Sequence, residues 1–339
     1  MSNPFISICI PSYNRPKELR RLLDSIDSTI FSNDIEIVVC EDHAPKREEV
    51  RTVVSEYRER TPYRIKYVEN DQNCGYDKNL RNLINIASGE YLLFMGDDDM
   101  FISGRLDGFL EFIRNHMECG YFLRSYQNVA ADGTISVFKY YDSDRTFEPS
   151  EDTYIEMFDK SVFISGFTMK RTYAKEHGTE MFDGSLLYQM YLLAEVCLKY
   201  PSAYYNNPIT QAIAGAVPLF GSSDAEKGLY DPGEQSVRSS INFMRWYVKI
   251  LDYVADKYRN DTNKRIKLNM SKYSYTFMAL QRHRGVRVFS GYVKELYLMG
   301  FGGSVYFYIY YIGLLFLGEK KCSKVILKIK KTIGRRPKL

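Results

Sequence analysis

The feature that most constrains the fold is an alternation, in the first hundred residues, between short apolar runs and longer stretches with helical spacing. Three helical stretches separate four runs of strand length, which lie at residues 5–10, 35–40, 64–68 and 91–95. All but the run at 64–68, which contains Arg64 and Lys66, are predominantly apolar. Strands that alternate with helices are typical of a parallel sheet with crossover helices. The sequence therefore predicts an α/β fold with a mostly parallel sheet flanked by helices.

The first helical stretch has a clear beginning. Asn14 can cap it and Pro16 stands in its first turn, and an apolar face follows, formed by Leu19, Leu22, Leu23 and Ile26. Residues 11–16 are therefore predicted to form a loop at the carboxyl end of the first strand.

The later chain changes pattern. Asp132-Gly133 predicts the turn of a β-hairpin within residues 121–147. A strand-like segment follows at 161–171, then an amphipathic helical stretch at 186–200. Residues 235–299 are apolar at helical spacing and broken by polar turns, which predicts three helices.

Polar clusters follow three of the predicted strands, at residues 11–15, 41–42 and 97–99. In an open α/β sheet, ligands bind in the crevice outside the carboxyl ends of the strands. The last cluster is three consecutive aspartates, and two carboxylates ~4 Å apart near a surface repel by roughly 4 kcal/mol unless they diverge or hold a cation. One or two carboxylates completed by phosphates and water are typical of Mg²⁺ sites, so a nucleoside diphosphate is the natural ligand.

The cysteines and the phosphate-binding motifs of the sequence bear on its redox environment and on the kind of ligand site it can form. The six cysteines show neither a C-x-x-C pair nor a zinc spacing, so we expect buried thiols in a reducing cytoplasm. No signal-peptide pattern precedes the first apolar run, which favours a cytoplasmic location. Neither a G-x-G-x-x-G turn after the first strand nor a P-loop occurs in the sequence.

Charge is distributed unevenly along the chain. Residues 319–339 carry nine Lys/Arg and one Glu, whereas the preceding residues carry 37 basic and 41 acidic side chains. An acidic body disfavours a nucleic-acid partner. Residues 304–318 contain no charge but are shorter than the roughly 20 residues needed to cross a membrane. An apolar stretch beside a basic amphipathic one predicts an interfacial anchor on an anionic membrane, with a packed core helix as the alternative.

Three ordered segments resemble the family 2 glycosyltransferases of GT-A (Rossmann-like) fold. They are "ISICIPSYNRPKELRRLLDSI", "IEIVVCEDHAP" and "NCGYDKNLRNLINIASGEYLLFMGDDDMF". More loosely, "FISGFTMKRTYAKE" and "FDGSLLYQMYLLAEVCLKYPSAYYNNPI" resemble the acceptor half of such enzymes, with a likeness to abequosyltransferase-like O-antigen enzymes. The resemblance implies a GT-A domain at 1–230, with a nucleotide-binding half at 1–101 and an acceptor half at 102–230. A helical region at 231–303 and a membrane-associating tail at 304–339 follow.

The resemblance also implies roles for individual residues. The residues expected to bind the nucleotide are Pro11, Ser12, Tyr13, Arg15, Asp42, Asn73, Gly75, Lys78, Asn79 and Asp97. Asp98 and Asp99 are expected at the metal, a divalent Mn²⁺ or Mg²⁺ cofactor. Gly96 stands where the family more often has the first aspartate of its acidic motif.

The chain departs from the family at the catalytic base. Inverting members carry Glu-Asp where this chain has Tyr188-Gln189, and neither of these residues deprotonates a hydroxyl at neutral pH. Either the base is displaced, with candidates Asp183, Glu195 and Asp224, or the enzyme retains the anomeric configuration.

Taken as a member of this family, the chain is expected to move a sugar from a nucleotide-sugar donor, by family frequency a UDP-sugar. The expected acceptor is a polyprenyl-linked saccharide of bacterial surface polysaccharide, either O-antigen or capsule. We expect a peripheral protein on the inner face of the cytoplasmic membrane. A nucleotidyltransferase and a non-catalytic carbohydrate-binding protein of the same fold are the alternatives.

Overall fold

The computed structural model describes residues 3–215 and 217–333, and the chain divides into two compact units, Met1–Glu234 and Gln235–Leu339. The strands of the described residues all lie in the first unit, and the second unit is helical.

The first unit contains twelve strands among its described residues. They are β1 (Ile6–Ser12), β2 (Ile35–Glu41), β3 (Arg64–Glu69), β4 (Tyr91–Phe94), β5 (Met100–Phe101), β6 (Tyr121–Arg124), β7 (Tyr126–Val129), β8 (Ile135–Phe138), β9 (Arg145–Phe147), β10 (Phe167–Lys170), β11 (Ser202–Tyr205) and β12 (Thr210–Ile213).

Eight of these strands form a mixed sheet in the order β3-β2-β1-β4-β10-β6-β11-β9. Strand β10 runs antiparallel to both of its neighbours, and β9 pairs antiparallel with β11 at the edge. The other strands run in one direction, so the sheet is mostly parallel, as predicted. A second sheet has the order β5-β12-β7-β8.

Helices connect and cover the strands of the first unit. They are α1 (Pro16–Asp24), α2 (Arg47–Arg58), α3 (Tyr76–Ile86), α4 (Leu106–Arg114), α5 (Glu151–Phe158), α6 (Arg171–Glu176) and α7 (Tyr188–Cys197). All seven residues of β2 and all four of β4 are buried. Continuous apolar runs of this kind are typical of parallel strands covered on both faces, which is why the sequence pattern located them well.

The start of α1 is predicted correctly, but the predicted capping residue, Asn14, is wrong. Pro16 is the first helical residue, but Arg15 occupies the N-cap position and makes no side-chain capping hydrogen bond. Asn14 instead has a left-handed backbone, with φ 62°. Asparagine tolerates this conformation better than most residues, so Asn14 turns the chain within the loop and does not cap the helix.

Two predictions for the later chain have opposite outcomes. The hairpin is confirmed, since β7 and β8 pair antiparallel across a turn in which Gly133 has φ 81°. The amphipathic helix expected at 186–200 is wrong in character, because every residue of α7 is buried. A helix that is buried on all sides occupies a core position, although α7 also carries the polar residues Gln189 and Glu195.

The second unit contains α8 (Val237–Tyr258), α9 (Thr262–Lys272), α10 (Tyr275–Arg282), α11 (Val286–Leu298) and α12 (Val305–Ile333). Four helices therefore occupy the region for which three were predicted. The additional break lies at 273–274, where the Ser274 hydroxyl bonds to the Ser271 carbonyl oxygen at 2.9 Å. Serine that bonds to nearby backbone in this way competes with helix continuation.

Helix α12 coincides with most of the predicted tail. Gly318 interrupts it with φ 71°, between the uncharged stretch and the basic one. In the part of the chain that the structure describes, no helix is both long and apolar enough to cross a membrane. Residues 334–339 of the predicted tail lie outside the described residues.

Candidate active site

The carboxyl ends of β1, β2 and β4 lie side by side. Strand β1 pairs in parallel with β2 on one side and with β4 on the other. The order of the sheet reverses at β1, and this is where α/β folds open a crevice for ligands. The three polar clusters that the sequence analysis identified are thus brought to one edge of the sheet.

Asp97 connects the acidic motif to the loop after β1. One of its carboxylate oxygens accepts a hydrogen bond from Arg15 Nη1 at 2.8 Å, and the other accepts one from the Tyr13 backbone N–H at 3.1 Å. Burial raises the pKa of Asp97 to about 6, with the charge of Asp98 adding to the rise and that of Arg15 opposing it. Asp97 therefore holds the loop in place while keeping a carboxylate in the crevice.

Asp98 is the most accessible of the three aspartates. Its Oδ2 lies 3.1 Å from Arg15 Nη1, and its side chain is 23% exposed. The Asp98 backbone carbonyl accepts a hydrogen bond from Arg21 of α1. Helix α1 thus fixes the backbone of the motif and leaves this carboxylate open to solvent.

Asp99 is buried and accepts a hydrogen bond from the Ser165 hydroxyl. The same hydroxyl accepts the Gly96 backbone N–H at 2.8 Å. Burial raises the pKa of Asp99 to about 7, and the bond from Ser165 opposes the rise. Ser165 was not predicted as a site residue, yet it joins both ends of the acidic turn.

Arg124 was also missed by the sequence analysis. It is fully buried at the end of β6, where it donates to the Ser165 carbonyl oxygen at 2.7 Å and to Thr168 Oγ1 at 2.5 Å. Burial lowers the pKa of its guanidinium to about 9. The signal in the sequence was an arginine at the end of the apolar run "YFLR". A buried arginine needs hydrogen-bond partners, so its position indicated a polar network near the end of this strand.

The acidic turn can be tested for its fit to a divalent cation. A Cβ built on Gly96 would lie 3.0 Å from Asp98 Oδ1 and 3.2 Å from Asp99 Oδ2, so oxygens of both carboxylates converge over the glycine. Oxygen ligands of this kind suit Mg²⁺ or Mn²⁺ that completes its shell with phosphates and water. No group of three or more His, Cys, Asp or Glu side chains arranged to hold a metal occurs within 3–215 and 217–333. The turn therefore fits a cation shared with a ligand better than a site made of protein alone.

Asp42 and Asn79 support the loop before α3. Asp42 accepts hydrogen bonds from Asn70 Nδ2 and from the backbone N–H groups of Cys74 and Gly75, at 2.7, 2.8 and 2.9 Å. Burial raises the pKa of Asp42, and these bonds oppose the rise. Asn79 donates to the Cys40 carbonyl oxygen at 3.0 Å. Both side chains thus fix the segment 73–75 against the end of β2.

Two further residues at this loop differ in their bonding. Lys78 is half-buried and makes no ion pair or hydrogen bond with the described part of the chain. Glu226, which the sequence analysis missed, is buried and accepts from the Tyr76 and Gly221 backbone N–H groups at 2.9 and 2.7 Å. Glu226 therefore caps the start of α3 and attaches the segment 221–228 to it.

The three candidate bases lie in different surroundings. Asp183 forms a two-point ion pair with Arg81. Glu195 is fully buried, with His177 Nδ1 at 3.5 Å. The side chain of Asp224 is 94% exposed.

Gln189, which stands where the family carries its aspartate, is engaged by hydrogen bonds. It donates to the Val162 carbonyl oxygen at 3.2 Å and accepts from the Tyr76 hydroxyl at 3.3 Å. The structure does not bring Asp183, Glu195 and Asp224 together with the acidic motif through any described contact.

Residues 7–175 match the family described as "Glycosyl transferase family 2". The abequosyltransferase of Salmonella typhimurium is 35% identical over 95 residues, which are 28% of this chain and 28% of that protein. The GalNAc(5)-diNAcBac-PP-undecaprenol β-1,3-glucosyltransferase of Campylobacter jejuni is 32% identical over 109 residues, 32% of this chain and 34% of that protein. The alignments span 28% to 40% of the length of these and another curated relative.

A similarity among solved structures extends over more of the chain. Residues 1–349 of Staphylococcus aureus TarS, solved in complex with UDP-GlcNAc, superpose with a TM-score of 0.59 and 14% identity. The match covers 91% of this chain and 90% of that one. At this identity the likeness concerns the fold alone, and with the sheet order it confirms the predicted GT-A architecture.

Proposed function

Since residues 7–175 are a domain of glycosyl transferase family 2, we propose that the chain transfers a sugar from a nucleotide-sugar donor to a saccharide acceptor. One observation carries the proposal: Arg15, Asp97 and Asp98 meet at the crevice where β1 and β4 end, inside the matched residues. An arginine beside a solvent-accessible carboxylate can hold both a diphosphate and the cation that accompanies it.

The nucleotide would lie against the loop after β1 and the segment 73–75. Pro11, Ser12 and Tyr13 form the first wall, and the loop fixed by Asp42 and Asn79 forms the second. Lys78, with no described partner, is available to a phosphate or to the base. We propose a UDP-sugar as donor, which agrees with the UDP-GlcNAc bound by TarS.

Asp98 and Asp99 are the proposed metal ligands, for Mn²⁺ or Mg²⁺. A cation bound there would neutralise the charge that develops on the leaving diphosphate. Asp98 is open to solvent, and Asp99 is oriented by Ser165. Asp97, engaged by Arg15 and Tyr13, would face the ribose side.

We rank the three candidates for the catalytic base by how accessible their carboxylates are to an acceptor. Gln189 carries no ionisable group, so it cannot deprotonate an acceptor hydroxyl. The exposure of Asp224 and the partial exposure of Asp183 favour these two over Glu195, which is fully buried. If none of them is the base, transfer with retention of configuration is the remaining mechanism.

We also propose that the acceptor is a lipid-linked saccharide of bacterial surface polysaccharide and that the chain works at the inner face of the cytoplasmic membrane. The name of the Campylobacter relative includes an undecaprenol-linked saccharide. Helix α12 carries an exposed apolar stripe at spacings of four, three and four, formed by Val305, Ile309, Ile312 and Phe316. Basic residues follow Gly318, and such a pairing suits an anionic lipid surface.

A thermal-shift panel tests the donor. Purified full-length chain is heated with UDP, GDP, CDP and dTDP, each with and without Mn²⁺, because a ligand of the folded state raises its apparent stability. We expect one nucleotide to raise the melting temperature, and Mn²⁺ to enlarge the shift. Incubation with the matching sugar nucleotide then separates the alternatives. A glycosyltransferase releases the nucleoside diphosphate, a nucleotidyltransferase forms nucleoside triphosphate and sugar 1-phosphate only when pyrophosphate is added, and a binding protein releases no nucleotide. The absence of any shift would contradict the proposal.

A further inference from the structure

The small sheet β5-β12-β7-β8 is attached directly to the acidic motif. Strand β5 begins at Met100, the residue after Asp99. The backbone of Ile213, at the end of β12, lowers the pKa of the Asp99 carboxyl and so opposes the effect of burial. The next strands in the sheet are β7 and the edge strand β8. The sheet therefore leads away from the carboxylates toward a solvent-exposed edge.

Three aromatic rings cluster on one face of this sheet. Tyr126 of β7 is directly opposite Phe138 of β8, with ring centroids 5.0 Å apart and planes at 24°. Phe163 also packs on Tyr126, with centroids 4.6 Å apart and planes at 43°. All three residues are half-buried. We call these three side chains the aromatic platform.

The aromatic platform lies beside the acidic turn. Ile164, the neighbour of Phe163, places its Cγ2 3.5 Å from the position of a Cβ on Gly96. Burial raises the pKa of the Tyr126 hydroxyl, a hydrogen bond with Tyr140 opposes the rise, and the negative charge of Asp99 adds to it. On the other side of Phe163, the Val162 carbonyl accepts the hydrogen bond from Gln189. The chain segment that carries Phe163 thus contacts both the acidic turn, through Ile164, and Gln189, through Val162.

We propose that the aromatic platform binds a pyranose ring of the acceptor saccharide. This inference rests on the proposed function and names a subsite for it. A pyranose presents a face of C–H groups and a rim of hydroxyls, and aromatic rings beside a few polar groups match both. Asn128, exposed and two residues along β7, lies on the same face of the strand as Tyr126 and supplies an amide for the rim.

The hairpin formed by β7 and β8 also offers a control position for the platform variants. Val137 neighbours Phe138 and is 52% exposed, but it pairs with Gln127 and points to the opposite face of the sheet. Loss of Val137 changes apolar exposure on the same strand without touching the platform. Phe138→Leu keeps apolar packing and removes only the aromatic face, which separates stacking from folding.

Saturation-transfer difference NMR tests the proposal with the full-length chain. The probes are the methyl glycosides of glucose, galactose, mannose and N-acetylglucosamine, at millimolar concentration. We expect saturation of the ring C–H protons of at least one glycoside. Phe138→Leu and Tyr126→Ala should reduce that signal at least threefold, and Val137→Ala should leave it unchanged.

Two results would overturn the proposal: no glycoside receives saturation from the wild-type chain, or Val137→Ala reduces the signal as much as the platform variants do. The thermal shift with UDP and Mn²⁺ is recorded on the same samples. A retained shift with no glycoside signal contradicts the platform alone, whereas loss of both contradicts the proposed function.

Discussion

Arg15 donates to the Asp97 carboxylate at 2.8 Å and thereby joins the loop after β1 to the acidic motif after β4, 82 residues further along the chain. Its second terminal nitrogen donates to the Val217 carbonyl oxygen at 2.7 Å. Arg15 therefore fixes three segments of the first unit with one planar group, which a lysine with its single ammonium cannot reproduce.

We predict that Arg15→Lys weakens binding of UDP with Mn²⁺ by about tenfold to a hundredfold, the range for losing a hydrogen bond to a charged group. Isothermal titration calorimetry measures the change. Arg20→Lys is the matched control, since Arg20 forms an exposed ion pair with Glu56 away from the crevice. Equal affinity of Arg15→Lys and the wild type would show that Arg15 does not shape the nucleotide site.

Ser165→Ala should lower the free energy of unfolding by about 1–3 kcal/mol, because the buried Gly96 N–H loses its acceptor. Asp99 loses its donor at the same time. Urea unfolding followed by circular dichroism gives the value. Ser136→Ala, at an exposed position of β8, should change it by less than about 0.5 kcal/mol. Similar effects of the two variants would contradict a structural role for the Ser165 hydroxyl.

Asp77 leads to a prediction for how the free energy of unfolding depends on pH. It accepts from the Leu186 and Tyr188 backbone N–H groups at 2.9 Å each, and burial raises its pKa to about 7. Because the folded pKa lies above the unfolded one, the stabilisation from this group is complete below about pH 4 and disappears as the pH rises through 7. Between those limits the free energy of unfolding should fall by at most about 1.4 kcal/mol per pH unit.

Asp77→Asn removes the titration while keeping an acceptor oxygen. Only the wild type titrates at this position. The wild type should therefore lose stability relative to the variant as the pH is raised from 5 to 8. Urea titrations at four pH values measure it. A difference that stays constant over this window would show that Asp77 does not titrate there.

For α12 we predict that Ile312→Ser with Phe316→Ser reduces co-sedimentation with anionic phosphatidylglycerol vesicles at least threefold. These side chains are 54% and 79% exposed, so their replacement should leave the second unit folded. Leu298→Ser, at an exposed residue of α11, is the control. Neutral phosphatidylcholine vesicles should bind the wild type less well, because the basic residues contribute about 1 kcal/mol each only near anionic lipid. Equal sedimentation of all variants would refute a lipid-facing role for the stripe.

The sequence predicted the fold where local pattern and burial agree. The runs at 5–10, 35–40 and 91–95 became β1, β2 and β4, because strands covered on both faces must be continuously apolar. The run at 64–68 became β3, whose residues are half-buried or exposed. The hairpin followed from the requirement for positive φ at Gly133. The uniform burial of α7 and the break between α9 and α10 depend on tertiary packing, which periodicity does not report.

The candidate site could be predicted only where its residues follow strands directly. Asp42 and the aspartates at 97–99 were found in this way. Arg124 and Glu226 were missed because their partners are backbone groups far along the chain: the Ser165 carbonyl is 41 residues from Arg124, and the Tyr76 N–H is 150 residues from Glu226. No spacing rule connects such pairs, so only the folded structure reveals them.

The most direct test of the proposed function is donor turnover. Full-length wild type and Asp98→Asn are incubated with a panel of sugar nucleotides and Mn²⁺, and release of nucleoside diphosphate is followed by chromatography. Asp98 is partly exposed, so the variant should fold normally, as checked by its melting temperature. We predict that the wild type releases the diphosphate from at least one donor and that Asp98→Asn reduces this at least a hundredfold. Undiminished release by Asp98→Asn, or none from any donor by the wild type, would contradict the proposed metal-dependent sugar transfer.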